Sequence, residues 1–252
     1  MSLSRESLLS FLNETLKPER IKDYCPNGLQ VEGKSQINRI ITGVTASQAL
    51  IDAAIAQQAD AIFVHHGFFW RGEDPRVVGM RKRRLQALLA HDISLFAYHL
   101  PLDIHPQLGN NAQLAKLLDI ETEGGLETDN PQSVAMRGRF KTALTAAQLA
   151  LRIEEKLERK PLVEGHGGTI HTVAWCTGGG QSFIEQAAEQ GVDAFISGEV
   201  SEQTIHVARE CGIQFFAAGH HATERYGAKA VGELLAQKFD VDVRFIDIDN
   251  PA

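Results

Sequence analysis

Three short segments carry side chains able to do metal chemistry: His65-His66-Gly67 inside IFVHHGFFW, His99-Leu-Pro-Leu-Asp103, and His220-His221-Ala-Thr-Glu224. Imidazole nitrogens with carboxylate oxygens form the donor set expected for zinc, iron or manganese. The second and third segments share a His-x-x-x-Asp/Glu spacing. A helix starting at His220 or His221 would put His220 and Glu224 one turn apart on one face, where the Glu224 carboxylate could bridge two ions. Adjacent histidines on an extended segment normally point to opposite sides, so His65 and His66 reach two metals only if Gly67 lets the chain turn. Each segment alone has an ordinary reading: a structural pair closing a strand, a capped helical turn, a turn held by a carboxylate. Their joint occurrence at repeated strand ends argues for a metal site. The number of donors exceeds what one tetrahedral ion needs, which favours two ions.

The elements that must position these residues alternate between apolar strand-like runs and helical patterns, the signature of an α/β protein. Strands are expected at 39–44, 61–64 and 93–98, with helices at 47–58 and 81–91. The second half repeats this with strands at 172–176, 194–197 and 213–217 and helices at 182–190 and 202–211. Residues 40–64 overlay 173–197 without a gap, placing Gln48 on Gln181, Ile51 on Ile184, Asp60 on Asp193 and Ala61 on Ala194. The fold class expected is therefore α/β, with two related α/β units from an internal duplication and a small α+β insertion between them. The division reads as 1–128, 129–171 and 172–252. Residues 121–132 read as an acidic loop, 135–140 and 161–164 as strands, and Thr145 with Gln148 as the capping box of a helix. His65 and His66 fall at the carboxyl end of a strand, where α/β sheets usually place ligands, and their overlay partners are Gly198 and Glu199.

At 252 residues, 43% hydrophobic and 23% charged, the chain is long enough for a sizeable core. Its net charge of −7 argues against tight binding to duplex DNA. The three scattered cysteines, Cys25, Cys176 and Cys211, support neither a disulfide framework nor a thiolate zinc site. The first twenty residues read as an amphipathic helix of mixed charge, not a signal peptide, and no apolar run is long enough to span a bilayer. A soluble, cytoplasmic protein is expected.

Several other motifs admit two readings. Thr177-Gly-Gly-Gly-Gln-Ser182 is a tight strand-to-helix turn or a cradle of N–H groups for an anion. Asn27-Gly28 reads as a turn, with a place at the rim of a cavity as the alternative. Arg81-Lys82-Arg83-Arg84 reads as a solvated helix face, with attraction of a nucleotide or nucleic acid as the alternative. Glu199 is a group supporting the metal site, a general base, or an acid stabilising a helix start.

DYCPNGLQVEG near the start, VHHG, HLPLD, SGE at 197–199 and GHHATE occur in an order that resembles the NGG-interacting factor 3-like family, the GTP cyclohydrolase 1 type 2 homologues. The resemblance covers nearly the whole chain and is strongest to short bacterial members. It implies two related α/β units, two divalent metal ions per chain, and a toroidal homohexamer arranged as a trimer of dimers. It carries the family's metal ligands onto His65, His66, Asp103, His220 and Glu224, with Glu224 the natural bridge. It leaves His99 and His221 to orient ligands or meet substrate. The catalytic residues expected are Glu224, His99 and His221.

The function this supports is a dinuclear metal-dependent hydrolase acting on a nucleotide or other small polar molecule, with His99 or His221 moving protons. The chain lacks the GxxxxGK[ST] loop, so GTP itself is weakly supported as substrate. Two alternatives stand beside it: a non-catalytic metal-binding regulatory or interaction protein, and an enzyme processing damaged nucleotides or DNA.

Overall fold

The structure is a computed structural model that describes residues 3–165 and 167–252. Met1 and Ser2, which begin the expected N-terminal helix, and His166, inside the expected insertion, lie outside the described residues. The chain forms two compact units, one of residues 1–102 with 227–249 and one of 103–226 with 250–252. This partition differs from the division at 128 and 171 expected from sequence, for two reasons given by the sheets.

The first unit contains β1 (Leu3–Ser4), α1 (Arg5–Leu16), β2 (Gly28–Val31), β3 (Gln36–Ile37), β4 (Arg39–Thr45), α2 (Gln48–Ala56), β5 (Ala61–His66), α3 (Gly79–Ala90) and β6 (Ser94–Ala97). The chain leaves this unit within α4 (Leu100–Ile104). In the second unit follow α5 (Asn110–Leu117), β7 (Ile120–Gly125), β8 (Met136–Thr145), α6 (Ala146–Leu157), β9 (Leu162–Glu164), β10 (Thr169–Cys176), α7 (Ile184–Glu189), β11 (Ala194–Ser197), α8 (Glu202–Cys211) and β12 (Gln214–Ala217). The chain returns to the first unit within α9 (His220–Lys238) and ends its strands with β13 (Asp242–Phe245).

In the first unit a five-stranded sheet runs in the order β13-β4-β5-β6-β2, parallel except for β2. β13 pairs with β4, which draws the C-terminal segment into the first unit. In the second unit a six-stranded sheet runs β7-β8-β10-β11-β12-β9. The segment expected to be a separate insertion therefore supplies β8 and β9 to this sheet. Its α6 packs Leu149, Ile153 and Leu157 into the same core. The acidic stretch from 121 is not a loop throughout: β7 pairs antiparallel with β8, and its charged residues lie on the exposed edge of the sheet. An acidic, glycine-containing edge strand is hard to distinguish from a loop by composition.

Alternation explains why the central strands are apolar throughout. Val173, Trp175, Ile196 and Phe216 enter one core cluster while Ala174, Cys176, Phe195 and Phe215 enter another, so both faces of the second sheet are covered. In the first unit Ile41, Ile62, Val64 and Leu95 pack with Leu50 and Ile51 of α2. Each such large side chain taken fully from water contributes about 1.5–3 kcal/mol. Ser47 caps α2 by accepting from the Leu50 N–H, and Thr145 with Gln148 forms the expected capping box.

The register of the sheets matches the sequence overlay. Ile40 pairs with Ala61, and Val173 with Ala194. One oxygen of Asp60 accepts the N–H groups of Asn38 and Arg39 at 2.9 and 3.1 Å, and one oxygen of Asp193 accepts those of His171 and Thr172 at 2.9 and 2.7 Å. Among the described residues no helix is long and apolar enough to cross a membrane.

Candidate metal centre

In the first unit β5 runs two residues further than the apolar pattern, to His66, and so carries both histidines. Their rings do not diverge as the extended backbone suggests: the centroids lie 4.4 Å apart. His65 is fully buried, and its Nδ1 lies 3.1 Å from the Tyr98 carbonyl. A carbonyl only accepts, so Nδ1 carries a hydrogen, and in the neutral ring Nε2 keeps the lone pair. His66 directs Nδ1 to Thr45 Oγ1 at 3.1 Å, across the β4–β5 register pair Thr45–His66. Gly67 is required for space, not for a left-handed turn. Its backbone is not left-handed, and a Cβ there would come within 2.2 Å of Gln30 Oε1 and 2.5 Å of the Ala97 Cβ.

His99 joins these two. One ligand atom from each of His65, His66 and His99 lies within 4.8 Å of the others. His99 is clasped from the loop after α1. Its Nδ1 lies 2.7 Å from Asp23 Oδ1, and its main-chain N–H donates to Asn27 Oδ1 at 2.7 Å. Asn27 donates to Asp23 Oδ2, which also accepts from the Leu100 N–H. Burial would raise the Asp23 carboxyl, but hydrogen bonds from His99 and Asn27, with the His99 charge, outweigh it and bring the group down to about 2. From sequence Asn27-Gly28 reads as a turn or part of a cavity rim, and Asp23 does not stand out. The Asp-x-x-x-Asn spacing in DYCPN was the available signal. Cys25, in the same loop, is pushed up to about 12 by burial and then by the Asp23 charge, which disfavours the thiolate a metal needs.

In the second unit α9 starts at His220, as the spacing predicts, and His220 Nε2 lies 3.1 Å from Glu224 Oε2. Its Nδ1 lies 2.7 Å from Glu199 Oε1. Burial lowers the His220 pKa, but hydrogen bonds and charge from Glu224, then Glu199, reverse this and raise it to about 9. Glu199 is thus a partner of a histidine ring. The side-chain cap of α8 is Ser201. Asp103, buried, accepts from Asn110 Nδ2 at 2.9 Å and Thr177 Oγ1 at 3.3 Å. His221 is buried and its main-chain N–H donates to the Ala252 carbonyl. In the basic run, Arg81 pairs with Glu73 while Lys82 and Arg83 are exposed.

The glycine run finds its reason here. Gly178 has φ +63°, and a Cβ on it would stand 2.0 Å from Glu224 Oε1 and 3.0 Å from His220 Nε2. Its N–H already donates to Thr223 Oγ1. The loop packs against the carboxylate and imidazole as closely as backbone can approach. In each unit the donors suit a divalent ion: His65 and His66 in the first and His220 in the second place Nδ1 against a protein partner, the arrangement that orients metal-binding imidazoles.

Comparison with known proteins gives a consistent match. The family model described as Duf34/NIF3 (NGG1p interacting factor 3) matches residues 3–251. A "GTP cyclohydrolase 1 type 2 homolog" of Vibrio cholerae serotype O1 is 61% identical over 247 residues, 97% of this chain and 98% of its own. One of the same name from Escherichia coli strain K12 is 56% identical, covering 99% and 100%. Among solved structures, the protein ybgI, described as of unknown function, is 55% identical with a TM-score of 0.96, covering 99% of this chain and 100% of its own. A protein from Thermus thermophilus is 30% identical with a TM-score of 0.87, covering 99% of each chain.

Proposed function

The chain belongs to the Duf34/NIF3 (NGG1p interacting factor 3) family, and on that basis we propose that it is a metal-dependent hydrolase holding two divalent ions per chain. In this reading His65, His66, Asp103, His220 and Glu224 would hold the ions. The observation that carries it is the common anchoring of His65, His66 and His220 through Nδ1. Zinc, iron and manganese suit these donors alike. Bound ions would supply Lewis acidity and an acidified water near neutral pH.

The chain's own residues do the rest. Asp23 holds the His99 ring so that Nε2 is available to accept or return a proton. Glu199 orients His220, and Asn110 and Thr177 orient Asp103. Glu224 is catalytic in this reading through the ions it holds. The name shared by the relatives supports a nucleotide or related small polar molecule as substrate. The matching registers and the paired Asp60 and Asp193 contacts support descent of the two parallel strand triplets from one duplicated unit. We propose the homohexamer that the sequence resemblance implies, which sedimentation velocity checks.

The test is elemental analysis of protein purified without added metal or chelator, with hydrolysis of a nucleotide panel by the same preparation. About two ions per chain and metal-dependent turnover are expected, and both are lost in Glu224→Ala. Turnover by metal-free protein overturns the reading. Two ions without turnover on any substrate moves the protein to the regulatory alternative.

A further inference from the structure

Beside the His99 clasp, the first unit displays two aromatic rings and a cation on loops that are tied together. Trp70 meets the His99 ring edge-on, at 4.8 Å between centroids and 84°, and lies 6.0 Å from the His66 ring. Tyr24 lies 6.4 Å from His99 yet is 57% exposed. The Arg71 guanidinium stands 5.9 Å over the Tyr24 ring.

The loops that carry these side chains are braced. The Arg71 N–H donates to the Tyr24 carbonyl and its guanidinium to the Asp23 carbonyl, each at 2.7 Å. Gln30 bonds both main-chain groups of Phe68, accepting from its N–H at 2.6 Å and donating to its carbonyl at 3.1 Å. Phe69 sits at φ +67°, a conformation a bulky residue adopts only when its surroundings enforce it. A loop braced in this way has already lost the backbone freedom that binding would otherwise cost. Among the described residues Arg71 forms no ion pair with a carboxylate, so its charge is available to an anion.

We propose that Tyr24, Trp70 and Arg71 form a substrate-binding platform for a planar heteroaromatic ring carrying an anionic group, presented to His66 and His99. Aromatic faces stack on bases of any sequence, and a guanidinium lying beside them adds charge recognition of a phosphate. The inference rests on the reading of the histidine cluster as the reacting centre, but it assigns a surface that no metal role requires.

The two tryptophans make the test direct, because Trp175 is fully buried while Trp70 is on this surface. Titration of the full-length protein with GMP should quench tryptophan emission, and Trp70→Ala should abolish the response. By calorimetry Tyr24→Ala and Trp70→Ala should weaken GMP binding roughly tenfold, the effect of losing one stacked base–aromatic contact. Arg71→Ala should weaken GMP while leaving guanosine unchanged, and ribose 5-phosphate should compete poorly. Unchanged GMP affinity in both aromatic variants, absence of GMP binding, or ribose 5-phosphate binding as well as GMP overturns the platform. Quenching without turnover would leave the platform and remove the hydrolase. Turnover with unchanged KM in Tyr24→Ala and Trp70→Ala would do the reverse.

Discussion

Asp23 and His99, from loops far apart in sequence, meet through a 2.7 Å contact between Oδ1 and Nδ1, and the Asp23 side chain is only 3% exposed. The carboxylate accepts the Nδ1 hydrogen and thereby fixes which nitrogen keeps its lone pair. Asp23→Asn offers an amide to the same nitrogen and disturbs that tautomer. Turnover should fall roughly 100-fold with metal content unchanged, since general acid–base groups typically contribute that much or more. Nitrogen NMR of the His99 ring reads the tautomer independently of activity.

The same contact has an acid signature. The Asp23 carboxyl titrates at about 2 in the folded protein, below about 4 in the unfolded chain. It therefore stabilises at neutral pH, and the contribution is lost as pH falls from about 4 through 2. Asp23→Ala should cost about 1–3 kcal/mol at pH 7. In urea melts at successive pH values the gap to the native protein should close over that window.

His220 links metal loading to protons. In the metal-free protein its pKa is raised to about 9, so its contribution to stability is complete below about 6.5 and is lost as pH rises through 9. A metal requires the Nε2 lone pair and must displace that proton. Calorimetry at pH 7.5 in buffers of different ionisation enthalpy should register proton release on zinc binding. Glu199→Gln lowers the His220 pKa and should reduce that release.

Gly178→Ala places a methyl group where Glu224 Oε1 and His220 Nε2 stand. Metal content should fall to half or less while the circular dichroism spectrum is retained. Full loading of a folded Gly178→Ala protein would show that the loop yields, and that the glycine is there for the turn alone.

Asp60→Ala and Asp193→Ala each remove a carboxylate that accepts two main-chain N–H groups. Each should cost about 1–3 kcal/mol in chemical denaturation. Burial would raise both carboxyls, but the Lys34 contact and then the main-chain hydrogen bonds at Asp60, and the main-chain hydrogen bonds from Thr172 and His171 at Asp193, hold them below their ordinary values. The losses should therefore be present at pH 7 and shrink as pH falls below about 4.

Much of this was legible in the sequence because it is local. β11 and α8 match their expected bounds, and the Thr145–Gln148 capping box and the start of α9 at His220 follow from spacing a few residues long. What the sequence hid was non-local. Asp23 reads as an ordinary loop acid until a partner 76 residues away is known. β7 is acidic because its charges line an edge, and β8 and β9 read as a separate body because nothing local reveals which sheet they join. The convergence of the His65 and His66 rings likewise depends on Tyr98 and Thr45, which hold them from other segments.

The return of β13 to the edge of β4 has a consequence for synthesis. The five-stranded sheet lacks its outer parallel neighbour until residues 242–245 have been made, whereas every strand of the six-stranded sheet lies between 120 and 217. On the ribosome the second unit therefore has all of its strands while β4 still presents an unpaired edge. The half of the chain that begins first is closed last.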